Sequence, residues 1–173
     1  MKFSDIEQFT AVGSYQVNVP LGFLVNSIDD YIKDYGLQLN PDFQRGYVWT
    51  QEQQAAYVEY LIKGGKANRI IYFNMPSWQG REAEPGEYDD FVCVDGLQRL
   101  TAVLKFMKNE LKAFGHFLNE FEDRMPWLDI LININNLRTK REVLTWYLEM
   151  NTGGTVHTAE DITKVEKLLE QEA

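Results

Sequence analysis

The segment Val92–Lys108, VCVDGLQRLTAVLKFMK, constrains the fold more than any other stretch. It opens on an apolar run, Val92 to Val94, with the β-branched character of a buried strand. Asp95-Gly96 then marks a turn. Leu97, Leu100, Thr101, Leu104 and Lys105 follow at helical spacing. A strand that passes through a glycine turn directly into a helix gathers unpaired backbone N–H groups at the helix start. Such a start is suited to anions. Gln98 and Arg99 fall in the first helical turn, and the arginine fork matches two phosphate or carboxylate oxygens. Asp95 can cap the turn, hold Arg99, or place a metal or water. The structural alternative is an arginine that only braces the turn.

At 173 residues the chain suits one domain, and a chain of that size buries about two thirds of its extended surface. We expect residues 1–158 to form that domain, with residues 159–173 as a C-terminal helix packed on it or extending from it. Cys93 is the lone cysteine, which excludes an internal disulfide and fits a reduced, intracellular setting. The start MKFSDIEQFT carries acids and no apolar core, unlike a signal peptide. No apolar run approaches the roughly 20 residues that span a bilayer. The net charge of -9 argues against a bare cationic nucleic-acid binder, so direct DNA binding is not expected. It permits an acidic protein that mimics nucleic acid or docks on a basic partner. Solubility is the plainer explanation of the same charge.

Taken in order, the chain predicts a short extended segment before Pro20, then a helix capped at Asn26-Ser27 and ended by Gly36. Leu37–Leu39 is a brief strand candidate. Pro41 and Gly46 bracket a rigid loop holding Phe43, Gln44 and Arg45, with Tyr47 and Trp49 just beyond. Thr50 caps the next helix and Gln53 completes a capping box, with Gly64-Gly65 as the stop. Arg69–Phe73 is a strand. Ser77–Asp90, with Gly80, Pro85, Gly86 and several acids, reads as a solvated loop or hairpin tip. Further strands are expected over Phe91–Val94, over Leu111–Phe117 with a turn at Gly115-His116, and over Ile130–Ile134. Helices are expected from the Asp95-Gly96 turn to about Asn109, over Arg138–Glu149 and over Ala159–Gln171.

Three further groups carry candidate chemistry. Gln44-Arg45 is a second Gln-Arg pair, set among Phe43, Tyr47 and Trp49. Those rings can stack on a base with cation–π support, or plug the core while Arg45 pairs with an acid. Asn151–Thr155, NTGGT, is glycine-rich but lacks the lysine and spacing of a P-loop. Its glycines allow close approach to a ligand and equally serve a plain turn. Neither His116 nor His157 has metal-ligand spacing with another histidine or a cysteine. His157, between the glycine loop and a helix, is open to a site role, whereas His116 reads as structural. The acids Glu82, Glu84, Glu87, Asp89 and Asp90 could gather a divalent cation or form a solvated face.

PDFQRGYVWT, VDGLQRLTAVL and LEMNTGGT, in that order, resemble three signature blocks of one family over about Ile28–Ile162. It is the ParB/sulfiredoxin-like domain of modification-dependent restriction systems. Such domains form the nucleotide-handling half of two-part restriction enzymes that attack glucosylated DNA, and occur in effectors that sense phosphorothioate DNA. Phe43, Gln44, Arg45 and Trp49 match the first block. Asp95, Gly96, Gln98, Arg99, Leu100 and Thr101 match the second, where Leu97 replaces a glutamine. Asn151 and Gly154 match the third.

The resemblance implies an α+β fold, a small mixed sheet surrounded by helices, with both Gln-Arg loops at one mouth. It implies nucleotide and phosphate contacts from Gln44, Arg45, Gly96, Gln98, Arg99, Thr101, Asn151 and Gly154. Beside it stands the reading of the rings themselves, with Phe43, Tyr47 and Trp49 as candidates for base stacking, and Asp95 and Arg99 are the candidates for catalysis. The implied cofactor is an NTP with Mg²⁺, with no metal ligands named on the chain. The implied setting is the cytoplasm of a bacterial or phage-infected bacterial cell. In the family, a separate nuclease domain with a His-Asn-His motif cuts DNA. No such motif occurs here, so cutting would come from a partner nuclease or restriction-system protein. Leu97 costs the site hydrogen bonds if it faces the ligand, and nothing if it faces inward. Two other readings stand beside nucleotide binding: an acidic interaction or inhibitor protein, and a ParB-like DNA-binding module.

Overall fold

Four strands form one mixed sheet in the computed structural model, which describes residue 6 and residues 15–78, 83–151 and 159–171. β1 (Tyr15–Pro20), β2 (Ile70–Asn74), β3 (Val92–Asp95) and β4 (Asp129–Asn135) lie in the order β1-β4-β2-β3. β4 runs antiparallel to β1 and parallel to β2, while β2 and β3 are antiparallel. Ile132 pairs with Val17 on one side and Ile71 on the other, which puts it at the sheet's centre.

Strand residues alternate between faces, and both faces are covered. Ile71, Phe73, Cys93, Ile130, Ile132 and Ile134 are buried in one cluster with helices α1 (Leu21–Tyr35), α2 (Gln51–Ile62) and α3 (Leu97–Met107). Val92 and Val94 belong to a second cluster with Phe43, helix α4 (Lys140–Asn151) and Val165 of helix α5 (Ala159–Gln171). This two-sided cover explains why β3 reads as an unbroken apolar run rather than an alternating one. The result is an α+β fold, a small mixed sheet flanked by helices, consistent with a ParB/sulfiredoxin-like arrangement. Among the described residues, no helix is long and apolar enough to cross a membrane.

Local chemistry sets the helix ends. The Thr50–Gln53 capping box forms as expected, with Thr50 N donating to Gln53 Oε1 at 2.9 Å. α1 starts earlier than its expected cap. Leu21, Leu24 and Ile28 supply a buried stripe, and Leu21 N donates to Leu128 O at 2.9 Å, so the neighbouring loop satisfies the helix start. Asn26 and Ser27 therefore lie inside the helix, where Ser27 Oγ donates to Phe23 O at 3.0 Å. Leu37–Leu39 makes only one parallel bridge, Gln38 to Val92. The Leu111–Phe117 segment likewise makes only one bridge, Ala113 to His116, around Phe114 and Gly115. α4 starts two residues later than expected, where the Glu142 carboxylate accepts from Arg138 N and Thr139 N, both at 3.0 Å.

Candidate functional site

The turn between β3 and α3 is shaped by a close approach to β2. Gly96 has φ 100°, in the left-handed region, and N-caps α3 without a side-chain cap bond. A Cβ at this position would stand 2.6 Å from Ile71 Cδ1 and 3.3 Å from Ile71 Cα. Both the dihedral and the contact demand glycine. Leu97, the next residue, is 3% exposed and lies in the first core cluster. It faces inward, so the departure from the family's glutamine removes no polar group from the turn's surface.

Arg99 fastens this turn to the entry of β2. Its Nη1 donates to Asn68 O at 3.1 Å and to Ile70 O at 2.9 Å. Its Nη2 forms an ion pair with the Asp95 carboxylate. Asn68, with φ 55°, offers the same carbonyl to Tyr57 Oη at 2.7 Å. Burial pushes the Tyr57 hydroxyl up to about 12, with Arg99 and Arg69 opposing the shift. The two candidates for catalysis are thus already joined to each other, and Arg99 is joined to the β2 backbone as well. The backbone carbonyls that Arg99 meets carry no mark in the sequence, apart from an asparagine suited to positive φ.

The two Gln-Arg blocks meet and hold each other. Gln44 Nε2 donates to Cys93 O at 3.1 Å and Val94 O at 3.0 Å. Gln98 Oε1 accepts from Val48 N at 3.0 Å and Trp49 N at 3.1 Å. Gln98 Nε2 donates to Gly46 O. Each glutamine satisfies backbone groups of the other block, which fixes the loop against the strand–turn–helix unit. Arg45 stands between two residues tied to that unit, yet has no hydrogen-bond or ion-pair partner among the described residues.

The remaining candidates separate. Phe43 is 2% exposed and packs edge-on to Tyr147 at a centroid distance of 5.2 Å. It fills the second core cluster, the core-plugging alternative of the two that its place beside Arg45 allows. Trp49 is half-buried and packs edge-on to Tyr57 at 5.7 Å. Tyr47 is 58% exposed, the freest ring of the three. Thr101 Oγ1 donates to Leu97 O at 2.7 Å inside α3. Asn151 ends α4; its side chain lies outside the described residues, as do Gly154, His157 and Glu82. His116 is exposed, with Nδ1 3.9 Å from Glu120. Burial, and then Asp95, push the Cys93 thiol far up, so it is a core residue rather than a nucleophile. Among the described residues, no group of three or more His, Cys, Asp or Glu could hold a metal ion.

Sheet, turn and clasp together define a small α+β domain in which two Gln-Arg blocks are interlocked around one helix start. The chain belongs to the family of the GmrSD restriction endonuclease N-terminal domain, whose family model matches residues 24–129. That span includes both Gln-Arg blocks and sets the chain in a restriction context. No curated protein and no solved structure matches the chain.

Proposed function

We propose that the domain binds a nucleoside triphosphate at the β3–α3 turn, within a restriction or counter-restriction assembly whose DNA cutting is done by a partner. The observation that carries this reading is the unpartnered Arg45, held by its neighbours beside a helix start that has no side-chain cap. Orphan N–H groups and a guanidinium are complementary to phosphate oxygens. Asp95 holds Arg99 in place, and a phosphate would compete with that carboxylate for the guanidinium. A Mg²⁺ ion would reach such a site with the nucleotide's own oxygens, Asp95 being the carboxylate at the turn. The arrangement supports binding more directly than hydrolysis, because Asp95 is engaged by Arg99 rather than free to act on water.

Calorimetry with ATP, GTP, CTP and UTP, with and without Mg²⁺, tests the reading. Saturable heat is expected with at least one nucleotide, weakened in Arg45→Ala. No heat with any of them would overturn it. Arg45 is a cleaner probe than Arg99, whose removal would also loosen β2.

A second reading, an acidic protein docked on a basic partner, draws on a surface feature. Trp127 is 77% exposed and Phe23 is 63% exposed, on two segments joined by the Leu21 N to Leu128 O bond. Large exposed aromatics of this kind are enriched at interfaces. Trp127→Ser should then abolish capture of a restriction-system protein in a pulldown. Capture unchanged by the substitution would remove this reading.

A further inference from the structure

The two edges of the sheet are treated differently. Beyond β3, Gln38 N donates to Phe91 O at 2.8 Å and Cys93 N donates to Gln38 O at 2.9 Å, so another segment bridges that edge. At the opposite edge, β1 pairs with β4 over all of its length, and among the described residues no backbone group bonds to its outer side. An open edge invites a further strand, and proteins blunt such edges with charges, bulges or internal proline. β1, YQVNVP, uses none of these. It carries no charge in a chain with 26 acids and 17 bases. Its register with β4 runs without a shift, unlike that of β2 with β3, and Pro20 stands only at its last position.

The side chains of β1 sort by face. Val17 packs against the first core cluster and Val19 belongs to it, on the side that α1 covers. Gln16 and Asn18 are exposed on the other face. Tyr15 leads the strand with its ring 40% exposed, packed at 5.4 Å on Trp78, which in turn meets Tyr35 at 6.0 Å. This pattern is self-complementary. When a second β1 lies antiparallel with Val17 opposite Val17, Gln16 faces Asn18 and Tyr15 faces Val19. Amide meets amide, an aromatic ring meets a β-branched side chain, and each pairing occurs twice about a two-fold axis. No like charges oppose each other along the paired strands, although the chain carries -9 overall.

We infer that β1 is a homodimer interface, to which a second copy of this chain adds its own β1 antiparallel in the register centred on Val17, so that the two sheets become one. The occupant is a second copy because the strand matches itself at each position from Tyr15 to Val19. Main-chain N–H and C=O groups of the open edge supply the affinity, and the alternating side chains fix the register. The interface is independent of the triphosphate reading. In the order β1-β4-β2-β3 the β3–α3 turn belongs to the opposite edge, so the two turns of a dimer stand at the far ends of the joined sheet.

Sedimentation equilibrium of the full chain over a concentration series, with no nucleotide added, tests the inference. A reversible monomer–dimer equilibrium is expected. Gln16→Lys combined with Asn18→Lys sets lysine against lysine twice, and should weaken the dimer about tenfold or more. Gln16→Lys combined with Asn18→Glu sets lysine against glutamate twice in the same register, and should dimerise at least as well as the wild type. Both positions are exposed, so both variants should keep the native circular dichroism spectrum, and the lysine–glutamate variant separates lost pairing from lost folding. A chain that stays monomeric at every concentration would overturn the inference. So would a dimer that survives the paired lysines, because its contact would lie elsewhere. Equal weakening by both variants would overturn it too, because the register centred on Val17 predicts opposite effects.

Discussion

Gly96→Ala should be among the most damaging single-methyl changes in this protein. The backbone at Gly96 has φ 100° and ψ 8°, where a residue with a Cβ costs about 1–3 kcal/mol. The added carbon also lands 2.6 Å from Ile71 Cδ1, and overpacking of this kind costs about 1–3 kcal/mol. Together these give about 2–6 kcal/mol, a large share of the roughly 5–15 kcal/mol that stabilises an ordinary domain. The two contributions can be separated. Ile71→Val deletes Cδ1 and alone costs about 0.5–1.5 kcal/mol. In that background the steric part of the Gly96→Ala penalty should shrink, while the dihedral part and the 3.3 Å approach to Ile71 Cα remain. The double variant should therefore be about 1 kcal/mol more stable than the sum of the singles. Urea unfolding of the four proteins measures this directly. A wild-type-background penalty below about 1 kcal/mol, or an equal penalty in both backgrounds, would refute the account of why this turn needs glycine.

Other predictions follow from the contacts around the turn. Arg99→Ala removes the donor to Asn68 O and Ile70 O and the partner of Asp95, and should cost about 2–3 kcal/mol by chemical denaturation. Arg45→Ala should cost under about 0.5 kcal/mol, so a comparable loss in both would contradict their assigned contacts. Asn74 donates to Leu137 O at 3.0 Å and accepts from Leu137 N at 2.8 Å, both buried. Asn74→Ala should lower stability by about 2–4 kcal/mol, and a loss below 1 kcal/mol would show that the clamp is dispensable. Tyr57, raised from 10.0 to about 12 in the folded state, contributes stability that is fully present below pH 10. That contribution, about 2–3 kcal/mol, should be lost as pH rises from 10 to 12 and be absent in Tyr57→Phe. Parallel pH profiles for the two proteins would rule it out.

Elements whose ends depend on local chemistry were legible in the sequence. Thr50 and Gln53 form their capping box, and α5 spans Ala159–Gln171 as its apolar stripe predicts. The start of α1 was hidden, because the group that satisfies it, Leu128 O, lies more than a hundred positions away. Leu37–Leu39 and Leu111–Phe117 have strand-like composition, but each finds a partner for a single bridge. At the site, the meeting of the two Gln-Arg blocks was anticipated from the resemblance as much as from spacing. What spacing could not reveal was the partner of each donor. Gln44, Gln98 and Arg99 all point their amide or guanidinium groups at backbone carbonyls, which every residue carries. Phe43 showed the same ambiguity: an aromatic beside an arginine reads alike whether it faces a base or Tyr147.

The Gln98 amide has one further consequence. It offers an acceptor and a donor side by side, as a peptide group does, and the loop from Gly46 to Trp49 uses both. Glutamate would keep the acceptor but set oxygen lone pairs against Gly46 O. Asparagine is shorter by one carbon–carbon bond, about 1.5 Å, and would fall short of the loop. Lysine has no acceptor for Val48 N and Trp49 N. The Gln98 side chain thus matches the loop backbone at three atoms. A glutamine at this place therefore joins two stretches of chain that lie about fifty positions apart.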